Sequence, residues 1–192
     1  MPPIDFTRYY RPHEVEQALR GFAEERPDLC ALSSIGKSHE GRELWLLTLS
    51  NRATGPDSEK PAYWLDANIH ATEVTGCMGA LHLIQTALAG YGGDDRLTRL
   101  LDTSALYVLP CMNPDGMEQA LTSPVYVRSG TRRYPYEDER EGLYPADIDG
   151  DGLILQMRVE DPDGGWKVSD KDARLMRRRG PDEYGGTYYR IY

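Results

Sequence analysis

The sequence predicts an α/β fold in which helices pack on a mixed, largely parallel sheet, followed by a β-rich C-terminal elaboration. Three observations carry this. "PAYWLDANI" at 61–69 and "ALYVLPCM" at 105–112 are continuous apolar runs rather than alternating ones, the pattern of strands buried on both faces. Between them lies "VTGCMGALHLIQTALAG", a long apolar helix candidate. Past about Met117 the helical periodicity gives way to a polar stretch carrying Pro, Gly and Tyr.

Taken in order, residues 12–26 read as an amphipathic helix. Val15, Leu19, Phe22 and Ala23 share one face, Pro12 suits the first turn and Pro27 stops it. Two strands follow, near 29–36 and 43–50, joined by a turn at "SHEGR". The run at 61–69 is the third strand. The apolar helix ends at "GYGG", "DDRLTRLLDTS" makes a short second helix, and "ALYVLPCM" returns to the sheet. Buried strand, helix, buried strand is the α/β alternation. Beyond it, "LILQMRVEDPDGGWKV" reads as a β-hairpin turning at "DPDGG". "ARLMRRRGPDEYGGTYYRIY" offers one or two further short strands. The expected organisation is therefore 1–117 as an α/β core and 118–192 as its elaboration. The ending "YYRIY" reads as a cut through a longer protein, leaving a strand edge able to pair with another chain.

Composition bounds the function. The chain has 192 residues, 40% hydrophobic and 28% charged, which is globular rather than disordered. A net charge of −9 repels polyanions and argues against nucleic acid. No apolar run approaches membrane-spanning length, and the start has no signal segment, so a cytoplasmic location is expected and a membrane partner is not. Cys30, Cys77 and Cys111 show no CxxC spacing, which disfavours a disulfide framework or a cysteine zinc ribbon and favours buried inert thiols. GxSxG, GxGxxG, the phosphate-cradling loop and HExxH are all missing. The oligomeric state is not readable.

The chemistry concentrates in "DANIHATEVTG". In α/β sheets ligands bind at the carboxyl ends of strands, and this segment delivers His70 and Glu73 to such an end. An imidazole nitrogen and a carboxylate oxygen are both good zinc ligands, and a spacing of three lets them meet. As a bare pair they yield to a bland reading, in which Glu73 complements a helix dipole and His70 is a loop residue, because HxxE arises often by chance.

Context changes the balance. "IGKSHEGRELWLLTLS", "DANIHATEVTG" and "LPCMNPDGME" occur in this order, and together they resemble the zinc carboxypeptidases of the carboxypeptidase A type, the M14 metallopeptidases. The resemblance covers roughly the first two thirds of the chain. It implies a peptide-hydrolysing enzyme with Zn2+ as cofactor, His70 and Glu73 as its first two zinc ligands, and peptide as substrate. Asn113, Pro114, Asp115 and Gly116 match the turn leading to the substrate-carboxylate pocket. Arg128 is the best-placed match to the arginine near the substrate's carboxylate or scissile carbonyl, with Arg132 and Arg133 behind it.

The departures are as informative. The family's third ligand is a histidine far downstream, but the four histidines here are His13, His39, His70 and His82. The catalytic glutamate, the pocket tyrosine and the asparagine–arginine pair are also missing, so these parts are expected beyond Tyr192 and the fragment is expected to be inactive alone. "DIDGDG" places Asp147, Asp149 and Asp151 in alternation, as at the start of a calcium loop. The twelfth position is Arg158 rather than glutamate, which excludes an EF-hand; a non-EF Ca2+ loop and a plain Asp/Gly turn stay open. The segment from "DIDGDG" to "GGWKV" also resembles an insertion in some bacterial-type members. The rival functional readings are a non-catalytic peptidase-like binding module with a calcium loop, and a related zinc amidohydrolase or deacylase.

Overall fold

The structure is a computed structural model and describes residues 4–132 and 141–192. It divides into two compact units, Met1–Glu137 and Asp138–Tyr192.

In the first unit, helix α1 (Pro12–Glu25) buries Val15, Ala18, Leu19 and Phe22, the expected stripe. Glu14 starts it by accepting the Arg11 backbone N–H at 2.9 Å. Strands β1 (Cys30–Lys37) and β2 (Glu43–Leu49) pair antiparallel, with Cys30 opposite Leu49. Their turn closes through Ser38 N–H to Arg42 O at 2.8 Å, with Gly41 at φ 87°, a conformation suited to glycine. Strands β3 (Ala62–Asp66) and β4 (Ala105–Leu109) pair in parallel. The crossover between them carries α2 (Val74–Gly90) and α3 (Asp95–Thr103). Asp94 caps α3 by accepting the N–H groups of Arg96 and Leu97.

The sheet order is β1-β2-β4-β3. It is mixed, as expected, but only one of its three pairings is parallel. A tight turn can join only antiparallel strands, and β2 meets β4 antiparallel as well. A second correction concerns β3. Central β4 is buried almost throughout, but β3 stands at the edge of this sheet, leaving Tyr63 64% and Trp64 47% exposed. Apolar content alone does not distinguish a central strand from an edge.

The core lies where Leu19 and Phe22 of α1, Leu81 and Ile84 of α2, and Leu47 and Val108 of the sheet form one buried cluster. Each such side chain contributes about 1.5–3 kcal/mol by burial. The segment "NPDG" is more than the turn its composition predicts: it opens a further helix, α4 (Pro114–Thr122). Its Met117 joins the same core. No helix among the described residues is long and apolar enough to cross a membrane.

The second unit is a small sheet of β5 (Arg158–Glu160), β6 (Trp166–Val168), β7 (Met176–Arg178) and β8 (Tyr189–Ile191), in the order β5-β8-β6-β7. The expected hairpin of β5 with β6 does not form, because β8 lies between them and bonds both. Gly164, in the "DPDGG" turn, makes room for that strand: a Cβ there would stand 2.5 Å from Tyr189 backbone atoms. The segment "YYRIY" is consequently an interior strand and not a free edge.

Candidate functional site

At the carboxyl end of β3 the chain turns sharply out of the sheet. Ala67 N–H still bonds Leu109 O at 3.0 Å, and Met112 N–H bonds Ala67 O at 2.9 Å. Asn68 then takes φ 58°, left-handed backbone that asparagine tolerates better than most residues. It is buried, and its Nδ2 donates to His70 O at 3.0 Å and Ala71 O at 3.2 Å. Its Oδ1 accepts from the Cys111 thiol at 3.4 Å. The loop carrying His70 is thus braced from beneath by one amide side chain.

His70 Nδ1 and Glu73 Oε1 stand 2.8 Å apart, with the side chains 30% and 52% exposed. Glu73 occupies the N-cap position of α2 but makes no capping hydrogen bond there. Its carboxylate faces the imidazole instead of the helix amides, so the bland helix-dipole reading leaves this orientation unexplained. Its carboxyl is held below the ordinary range, first by the hydrogen bond with His70 and more weakly by the Arg128 charge. Arg128 is exposed, and its charge reaches Glu73. Its backbone joins the same loop, since Ala71 N–H donates to Arg128 O at 2.8 Å.

A second cluster binds two distant segments to each other. Asp115, only 5% exposed, sits in the first turn of α4 and points at the β1–β2 turn. Its carboxylate accepts from Ser38 Oγ at 2.8 Å, Glu40 N–H at 3.0 Å and Arg42 Nη1 at 2.6 Å. Burial raises its pKa, but Arg42, Ser38 and the Glu40 amide outweigh burial and hold it below the ordinary value. Glu40 bonds Thr131 at 2.6 Å, close to Arg132, which is exposed. Ser38, Asn113, Asp115 and Arg132 line a cavity of about 370 Å³. Arg133 lies outside the described residues.

The three motifs that stand apart in sequence therefore converge in one region of the first unit. The zinc carboxypeptidase family model matches residues 15–151. The chain belongs to that family. Human carboxypeptidase D is 40% identical over 60% of this chain, and mouse carboxypeptidase M is 33% identical over 68%. The solved carboxypeptidase A of Helicoverpa armigera aligns over 69% of the chain with a TM-score of 0.60 and 26% identity. The chain spans 10%, 29% and 31% of these three relatives, respectively.

A zinc carboxypeptidase implies Zn2+, and the donor set at the end of β3 fits part of a zinc shell: one imidazole nitrogen and one carboxylate oxygen, converging and open to solvent. Among the described residues, no third histidine, cysteine or acid groups with them at metal-binding distance. His39 lies exposed in the β1–β2 turn, and His82 on α2 stacks edge-on with Phe6 at 5.2 Å. The one such threesome among the described residues, Asp147, Asp149 and Asp151, belongs to the second unit and is exposed. Asp147 there accepts the N–H groups of Gly150 and Gly152 at 2.7 and 2.9 Å, and Asp151 that of Leu153 at 2.8 Å. Those bonds describe an Asx-rich turn. Cys30, Cys77 and Cys111 are all buried and free. Sequence reasoning missed Asn68 and the Asp115 network. The signal for the latter was present in the shared motifs, but a charge partner 73 positions away is invisible to local periodicity.

Proposed function

We propose that this chain carries the zinc-anchoring part of a metallocarboxypeptidase that hydrolyses peptide bonds. The observation that supports this most is the turning of Glu73 away from its helix to meet His70 at 2.8 Å, at the strand end where α/β folds bind ligands. In this reading His70 Nδ1 and Glu73 Oε1 are the first two metal-binding atoms, and Asn68 fixes the backbone that presents them. When bound, zinc supplies Lewis acidity and lowers the pKa of a coordinated water. Arg128 brings a fixed positive charge beside the pair, suited to a peptide's carboxylate or to charge developing on a scissile carbonyl. The third ligand and the general base come from the rest of the polypeptide, consistent with the fraction of its relatives that the chain spans.

The test is zinc content after equilibrium dialysis of the purified chain beside its His70→Ala and Glu73→Ala variants. The parent is expected to retain zinc weakly and both variants to lose it. Equal zinc in all three proteins would sink the ligand assignment.

A further inference from the structure

Asn113 ties three segments together. Its Oδ1 accepts Gly116 N–H at 3.0 Å, which caps α4. Its Nδ2 donates to Ser129 O at 2.7 Å and to Ile69 O at 3.3 Å. Ile69 immediately precedes His70, and Ser129 immediately follows Arg128. One amide therefore spans from the metal-facing loop to the arginine segment. The amide orientation is fixed chemically, because only an oxygen can receive the Gly116 N–H and only an N–H2 can serve two carbonyls.

The surroundings are built for this spacing. A Cβ on Gly116 would lie 2.6 Å from Asn113 Nδ2, 2.7 Å from Ala71 Cβ and 2.8 Å from Ser129 O. Glycine there lets the start of α4 approach the loop closely enough for the asparagine to reach both carbonyls. The backbone bond from Ala71 N–H to Arg128 O closes the same circuit.

We propose that Asn113 is a positioning residue that couples the His70 loop to Arg128, setting the separation between the metal-binding pair and the substrate-facing guanidinium. Capping alone does not call for asparagine at this position, since serine and aspartate cap as well. What they lack is the pair of N–H donors. The inference rests on the assignment of His70 and Glu73 as zinc ligands.

Asn113→Ser and Asn113→Asp separate the two roles, since both keep a capping oxygen and both lose the bridge. Zinc is titrated into the chain while the His70 ring resonances are followed by NMR, which isolates this histidine from the other three. In both variants the zinc midpoint is expected to rise about tenfold or more, the scale of losses on removing supporting groups around a metal. The α4 amide resonances should stay in place. An unchanged midpoint in a folded variant overturns the coupling. In the parent, His70 resonances that ignore zinc would instead overturn the ligand assignment. Hydrogen exchange of the Asn113 side-chain amide in the parent supplies a measurement independent of variant folding. Protected protons support the bridge, and protons exchanging as fast as those of an exposed asparagine refute it.

Discussion

Replacing Asp115 by alanine should destabilise the chain by about 3 kcal/mol. The carboxylate is 6% exposed and accepts three hydrogen bonds, from a hydroxyl, a backbone amide and a guanidinium. Bonds to a charged acceptor are worth about 1.5–3 kcal/mol each, so a naive sum over three is about 4.5–9 kcal/mol. Two facts reduce it. Arg42 is 36% exposed and keeps Glu40 at 2.9 Å, and the carboxylate itself loses hydration on burial. At about 2–4 °C per kcal/mol for a chain of this size, the melting temperature should fall by roughly 6–12 °C. Asp115→Asn keeps the shape and one acceptor and should cost about half as much. The pH dependence gives a second check. The folded-state pKa of Asp115 is lowered, so its stabilisation is fully present above the ordinary aspartate value of about 3.9 and is lost as pH falls through the lowered one. Thermal melts of parent and Asp115→Ala should therefore keep a constant gap from neutral pH down to about pH 5, then converge in stronger acid. An alanine variant melting within about 2 °C of the parent at neutral pH would refute the claim that this carboxylate locks α4 to the β1–β2 turn.

Further outcomes follow from the same contacts. Glu73→Gln should abolish zinc retention while leaving the melting temperature nearly unchanged, because Glu73 does not cap α2; a large loss of stability would restore the helix-cap reading. Gly116→Ala should destabilise by about 2 kcal/mol in urea titration, since overpacking outweighs the gain of about 1 kcal/mol in helix propensity. A neutral or stabilised variant would show that the close approach is relaxed. The 192-residue chain alone should show no carboxypeptidase turnover above the no-enzyme rate, and robust hydrolysis of a blocked dipeptide would place the missing groups within it. Millimolar calcium should leave the melting curve unmoved, because backbone amides already hold the Asp147 carboxylate; a rise of several degrees would establish a cation loop.

Legibility in the sequence tracked the range of the interaction. Helix α1, the β1–β2 hairpin, α2 and β4 are written in apolar periodicity and turn chemistry, both local signals. Helix α4 hid behind Asn-Pro-Asp-Gly, which reads as a turn even though asparagine caps and proline opens the first helical turn. The exposure of β3 and the insertion of β8 between β5 and β6 depend on which strands become neighbours, a long-range matter that composition does not encode. The His70–Glu73 pair stands out because three motifs keep a fixed order. Asn68 and the bridge of Asn113 do not, since their value lies in carbonyl groups, which every residue has.

The thiol under the His70 loop adds an experimental handle. Cys111 is buried, and burial pushes its acidity far from the reactive range; Cys30 and Cys77 are likewise raised, to about 12. In the closed protein all three should resist aromatic disulfide reagents. Cys111 shares the buried core with Cys30 and Cys77 but also touches Asn68, so any labelling of Cys111 in excess of the other two measures how often the floor of the His70 loop lifts. One native chain thus carries two chemical clocks for its core and a third that adds the opening of the His70 loop, readable without introducing any mutation.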